Sequence, residues 1–153
     1  MNPLRLYLDT SVFGGCYDAE FEKESNALFR LAKQGKFKLL VSDLVLGELV
    51  PAPKEVREYS ASVTALDVER LASTPESEKL ARAYLAAGIL TPRSQTDAEH
   101  VALATVTRAD AIVSWNFKHI VQLQKMKQFN QINLSLGYGF LQIVTPKEVL
   151  PHD

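Results

Sequence analysis

Three acids and one amide stand out by what surrounds them. Asp9 directly follows the apolar run Leu4–Leu8, and Asn116 follows Ala111–Trp115 in the same way. Glu48 comes late in a short helical segment whose other residues, Leu44, Val45, Leu46, Leu49 and Val50, are nearly all apolar. An acid placed there costs free energy unless it has a partner, such as a metal ion. Asp97 opens a helical pattern, where its charge also suits the dipole. Each has an ordinary reading as well. Asp9 can cap the helix after the first strand, Asp97 can be first-turn electrostatics, and Glu48 can lie on a solvated face. What favours one shared site is the combination: an acid after the first strand, an acid in the helix after the second, and an acid opening the helix before the Ala111–Trp115 strand. In open α/β sheets ligands bind beyond the carboxyl ends of the strands, where strand order switches.

The elements that must position these residues are legible from apolar periodicity. Leu4–Leu8 and Phe37–Val41 read as strands. A first helix begins near Val12 and is interrupted at Gly14-Gly15; a second covers Ser25–Lys33 and stops at Gly35. Ser42 is the expected N-cap of the Glu48 helix, with Asp43 in its first turn, and Pro51 and Pro53 end it. A further helix runs from Pro53 through Arg57, and a short strand is expected near Val68–Ala72. Thr74-Pro75-Glu76 starts a helix with the stripe Leu80, Ala83, Tyr84 and Ala87, closed by Gly88. Thr96-Asp97-Ala98-Glu99 matches a capping box with Thr96 as N-cap, and Ala98, Val101, Ala102 and Thr105 then face the core. Ala111–Trp115 is a buried strand, a polar Gln- and Lys-rich stretch follows, Leu141–Thr145 is the last strand, and Pro146 opens a final short helix. Strands alternating with helices predict an α/β fold with a largely parallel sheet.

Four blocks in order resemble those of the PIN-domain family, and in particular its VapC-like toxin ribonucleases: Leu8-Asp9-Thr10-Ser11; Ser42–Val50 with Glu48; Asp97–Ala104; and Ala109–Asn116. The resemblance covers nearly the whole chain. It implies a three-layer α/β/α fold with a central, mainly parallel sheet of about five strands. It further implies hydrolysis of RNA phosphodiesters dependent on Mg2+ or Mn2+, with Asp9, Glu48 and Asp97 as the metal-binding acids and Asn116 as the fourth catalytic position. A toxin of this kind is held inactive by a small antitoxin protein whose segment fills the acidic groove. The chemistry is coherent: hard divalent ions take carboxylate oxygens, activate water and stabilise phosphate oxyanions, while carboxylates clustered without metal repel one another and some pKa values rise. This chain departs from the family at Asn116, where an acid is usual. An amide removes one negative charge, although its oxygen can hold a metal-bound water. Asp110, at the start of the strand and roughly 20 Å from Asn116 if extended, is a poor substitute.

Around this set, Thr10, Ser11 and Ser114 are candidates to hydrogen-bond the acids or a phosphate, with capping and turn roles as the alternative. His100, three residues after Asp97, either faces the site or is an ordinary partly buried histidine, the commoner case. Lys118 and Arg93 are candidate phosphate contacts, against the reading of both as solvated surface charges. Asp18, Glu20, Glu22 and Glu24 read as a solvated acidic stretch, and the apolar helices offer a face for a homodimer, against core packing as the default.

Length and composition bound the rest. The 153 residues fit one domain, 1–153, with one core. Seventeen Lys and Arg against eighteen Asp and Glu give a net charge of −1, so any contact with RNA comes from a local patch rather than a basic excess. With Cys16 as the single cysteine, no internal disulfide forms, and a reducing compartment fits. Met1-Asn2-Pro3-Leu4-Arg5 does not read as a leader peptide, and no apolar run approaches the ~18 residues that span a bilayer, so a cytoplasmic protein without a membrane segment is expected. The alternative to an enzyme is a PIN-like module that binds RNA or protein with weakened catalysis, motivated by Asn116. A phosphotransfer receiver or a dehalogenase-like phosphatase is disfavoured, because Asp9-Thr10-Ser11-Val12-Phe13 has neither an acidic pair at strand 1 nor a second Asp two residues on.

Overall fold

Alternation within the apolar runs builds a sheet that is covered on both faces. The computed structural model describes residues 2–151; Met1, part of the leader reading, and His152 and Asp153 lie outside them. The strands are β1 (Leu4–Leu8), β2 (Phe37–Ser42), β3 (Glu69–Leu71), β4 (Ala111–Val113) and β5 (Gln142–Val144), all parallel, in the order β3-β2-β1-β4-β5. Tyr7, Leu40, Ile112 and Ile143 point to one side, into a core shared with α5 (Pro75–Ala86), α6 (Gln95–Val106) and α7 (Leu123–Ser135). Leu6, Leu8, Leu39, Val41, Ala111 and Val113 point to the other, against α1 (Thr10–Gly15), α2 (Glu22–Lys33), α3 (Asp43–Leu49) and α4 (Lys54–Thr64). The short α8 (Pro146–Val149) closes the chain on this second side, with Val149 packed there. The result is the three-layer α/β/α arrangement of a PIN-like fold. Each fully buried Leu, Val, Ile or Phe contributes about 1.5–3 kcal/mol to holding the layers together.

Strand order reverses between β1 and β4, because the chain winds outward to β2 and β3 and then crosses to β4 and β5. That crossing opens the crevice at the carboxyl ends of β1 and β4. The ladder continues a residue into it: the Asp9 N–H donates to the Val113 carbonyl at 3.0 Å, and the Ser114 N–H to that of Val144 at 3.0 Å.

Several local expectations are corrected. β4 ends at Val113, so Ser114 and Trp115 belong to the turn that follows it. Gly14 and Gly15 complete α1 instead of interrupting it, and α4 continues past Arg57 to Thr64. α6 begins at Gln95, entered from a 3-10 turn at Pro92–Ser94, so Thr96 is not its N-cap. Pro92, with its fixed φ, starts the helical path four residues upstream of Thr96. Glu99 instead accepts from the Gln95 side chain at 3.0 Å. The polar stretch before the last strand is α7, whose inner face carries Phe129 together with the buried Asn130 and Asn133. Among the described residues, no helix is long and apolar enough to cross a membrane.

Candidate active site

Asp9 is 4% exposed at the carboxyl end of β1 and caps α1. Its Oδ2 accepts three hydrogen bonds, from the Ser11 N–H at 3.4 Å, the Ser11 hydroxyl at 2.7 Å and the Ser114 hydroxyl at 2.8 Å. The capping reading of Asp9 is therefore correct and does not exhaust the residue. One oxygen does the capping, and Oδ1 is turned towards His100, whose Nε2 lies 3.8 Å away.

Glu48 reaches the same place from α3. Its Oε1 accepts from the Thr10 hydroxyl at 2.8 Å and meets His100 Nε2 at 2.5 Å. The helix is less enclosed than its composition suggests: Val50 is 71% exposed, and the Glu48 side chain is 38% exposed. Burial pushes the Glu48 carboxyl up, but the hydrogen bond and charge of His100 and the Thr10 hydroxyl outweigh it and leave the pKa below its ordinary value.

His100 is fully buried at the centre, so its partly buried reading is corrected. Its Nδ1 lies 2.7 Å from the Tyr7 hydroxyl, which in turn lies 2.8 Å from the Ser42 hydroxyl. When neutral, the ring accepts at Nδ1 from Tyr7 and donates at Nε2 to Glu48. When protonated, it donates at both nitrogens, and Tyr7 turns its proton to Ser42. Burial alone would lower the His100 pKa; the hydrogen bond to Glu48 and the charges of Asp9, Glu48 and Asp97 overcome this and raise it. Tyr7 and Ser42 enter the site unannounced, because Ser42 reads as an N-cap, which it also is, accepting from the Val45 N–H at 3.3 Å. The available signal was Tyr7 itself: a buried phenol in an aliphatic strand needs a partner for its hydroxyl.

Asp97 arrives from the first turn of α6, and its Oδ1 accepts from the Asn116 amide nitrogen at 3.2 Å. Burial, and then the charge of Asp9, hold its pKa above the ordinary value, with Glu48 adding to the rise and His119 and His100 opposing it. Asn116 is oriented by its surroundings. Its Oδ1 accepts the His119 N–H at 3.0 Å, which requires oxygen at that position, so the amide nitrogen faces Asp97. The Asn116 oxygen thus shapes the loop after β4 through one of its two lone pairs.

Asp9, Glu48, Asp97 and Asn116 thus meet at one crevice, with Thr10, Ser11, Ser114 and His100 as their hydrogen-bonding or charge partners. Lys118 and Arg93 stand apart. Both are exposed, and among the described residues no hydrogen bond or ion pair joins either side chain to the cluster.

The donor chemistry suits a hard divalent cation, since the three carboxylates supply oxygen ligands and their coupled charges are what such an ion relieves. Among the described residues, no group of three His, Cys, Asp or Glu side chains is arranged to hold a metal ion. One Glu48 oxygen is turned to the imidazole of His100.

No family model and no curated relative matches the chain. Solved structures do. VapBC2 from Rickettsia felis, bound to a DNA fragment from its promoter, superposes with a TM-score of 0.59 at 18% identity, covering 93% of this chain and 98% of that one. VapC20 of Mycobacterium tuberculosis, described as a sarcin–ricin loop cleaving toxin, gives 0.58 at 15% identity, covering 90% and 98%. DNA-bound VapBC from Salmonella typhimurium gives 0.54 at 20% identity, covering 94% and 98%. At these identities the likeness is one of fold: the chain is built as the VapC structures are, along almost its whole length.

Proposed function

We propose that this chain is a divalent-metal-dependent endoribonuclease and the toxin half of a toxin–antitoxin pair. The observation that carries the reading is the convergence of Asp9, Glu48 and Asp97 at the β1/β4 switch point, in a fold shared with VapC structures. Asp9, Glu48 and Asp97 are the residues to hold Mg2+ or Mn2+. When bound, such an ion supplies an activated water and charge stabilisation at the phosphate. The chain's own contribution is positioning. Ser11 and Ser114 hold one Asp9 oxygen, Tyr7 and His100 hold Glu48, and Asn116 holds Asp97. Glu48 and His100 also form a pair between which a proton can be held within the site. Lys118 and Arg93 offer positive charge to flanking phosphates of a long substrate.

The antitoxin partner is supported by fold neighbours that are VapBC structures, and the same charges suit it. A small protein that presents a cationic side chain to this crevice neutralises the carboxylates and blocks the substrate. One observation favours a second reading, a binding module with weakened catalysis: Asn116 replaces a fourth carboxylate with a hydrogen-bond donor to Asp97.

The test is cleavage of end-labelled RNA by the wild type and by Asp9→Asn, in chelator and in Mn2+. The enzyme reading predicts endonucleolytic products only with metal, and a loss on the order of a hundredfold or more in the variant, the scale on which removing one preorganised electrostatic group slows an enzyme. Binding of RNA without cleavage in Mn2+ establishes the module instead.

A further inference from the structure

An aromatic cluster borders the acids, and the chemistry above does not use it. Phe21 stacks on Trp115 with ring centroids 4.3 Å apart and planes inclined by 20°. The Phe117 centroid lies 6.2 Å from each of them. Trp115 is seated firmly. Its indole N–H donates to the Ser25 hydroxyl at 2.8 Å, and Gly15 approaches so closely that a Cβ there would stand 2.8 Å from the indole nitrogen. Its backbone N–H donates at 2.9 Å to the Ser11 hydroxyl, the same hydroxyl that donates to Asp9. Phe117 is attached to this rigid base, immediately after Asn116, and is 48% exposed.

The charge balance narrows what the cluster can hold. The chain has a net charge of −1, and the crevice is acidic, so a nucleic-acid strand gains little from long-range attraction. Beside what Lys118 and Arg93 offer to phosphates, affinity next to the acids then draws on contacts that do not depend on charge. Stacking of bases on aromatic rings is such a contact and tolerates any sequence. It requires an unpaired base, because a base within a duplex has both faces covered.

We infer that Phe21, Trp115 and Phe117 form a base-stacking platform, on which an unpaired nucleobase of the RNA next to the cleaved phosphate rests against Phe117. This rests on the ribonuclease reading and adds to it the residues that seat a base beside the cleaved phosphate: Phe117 as the contact, held by Trp115 and Phe21.

The test uses the full chain and an unpaired eight-residue oligoribonucleotide, alongside the same strand carrying abasic residues. Affinity is read by anisotropy in Ca2+, and emission of Trp115, the chain's single tryptophan, is followed in the same titration. Phe117→Leu keeps an apolar side chain and removes the ring; Phe117→Tyr keeps the ring. Cleavage of the same RNA in Mn2+ is measured in parallel. The platform predicts that Phe117→Leu weakens binding on the order of tenfold or more, the scale of one lost base–aromatic stack. Phe117→Tyr retains affinity, the difference disappears with the abasic strand, and the base-containing strand quenches Trp115. Unchanged affinity in Phe117→Leu, or an equal loss with the abasic strand, overturns the platform. If the wild type still cleaves RNA in that case, the nuclease reading stands without it. A wild type that neither binds nor cleaves RNA overturns both.

Discussion

Asn116 holds the loop after β4 through its oxygen and Asp97 through its nitrogen. An aspartate would keep the first bond and invert the second, placing an oxygen where a donor now stands 3.2 Å from Asp97 Oδ1. Asn116→Asp is therefore expected to lower the melting temperature in chelator, because it adds a like charge to a partly desolvated cluster. It is also expected to enlarge the stabilisation by Mn2+, since an ion that binds only the folded state stabilises it by mass action. Thermal melts of the two proteins with and without Mn2+ check both signs; equal metal-induced shifts would show that position 116 does not contribute to the ion site. At this scale the acids were legible from sequence, because a carboxylate at the end of an apolar run is costly and its type is informative. The polar relay from Ser42 through Tyr7 to His100 was not. Its bonds join residues 35 and 93 positions apart, and only the folded sheet brings them together.

At the scale of elements, two close contacts decide how the layers meet. Gly15 ends α1 against Trp115 and Ser25, where a Cβ would come within 2.5 Å of the Ser25 hydroxyl and 2.8 Å of the indole nitrogen. Gly15→Ala must displace one of them. It is expected to destabilise the protein by about 1–3 kcal/mol, as overpacking does, and to alter Trp115 emission; a melting curve and spectrum like those of the wild type would contradict this. The second contact is Arg5, whose guanidinium pairs with Glu69 at 2.7 Å and donates to the Thr107 and Arg108 carbonyls at 3.0 Å, fastening β1 to β3 and to the end of α6. The hydrogen bond from Arg5 holds the Glu69 carboxyl below its ordinary value. Its contribution to stability is thus complete above the unfolded glutamate pKa, about 4.3, and is lost as pH falls through the lower folded value. Glu69→Gln should flatten the fall in stability below about pH 4.3, as measured by denaturant midpoints across that range. Strands and most helices could be read from apolar periodicity. α7 could not, because its inward face uses Asn130 and Asn133, satisfied by Leu141, Tyr84 and Thr105, where a core helix ordinarily shows apolar residues.

At the scale of the whole molecule, the parallel sheet gathers chemistry from distant segments of chain into one crevice. The end of β1, α3, α6 and the turn after β4 bring Asp9, Glu48, Asp97 and Asn116 to it, and the reversal of strand order leaves the space between them. The arrangement carries an electrostatic cost in the absence of metal, concentrated on Asp97, whose pKa is raised first by burial and then by Asp9. The most direct measurement is Mn2+ binding by calorimetry together with the melting temperature in chelator, for the wild type and Asp97→Asn. The account predicts that the wild type binds Mn2+ and that Asp97→Asn does not. It also predicts that the metal-free variant melts higher than the wild type, because the substitution removes a charge that burial and Asp9 disfavour. Mn2+ binding that survives in Asp97→Asn, or a metal-free variant that melts below the wild type, would contradict it.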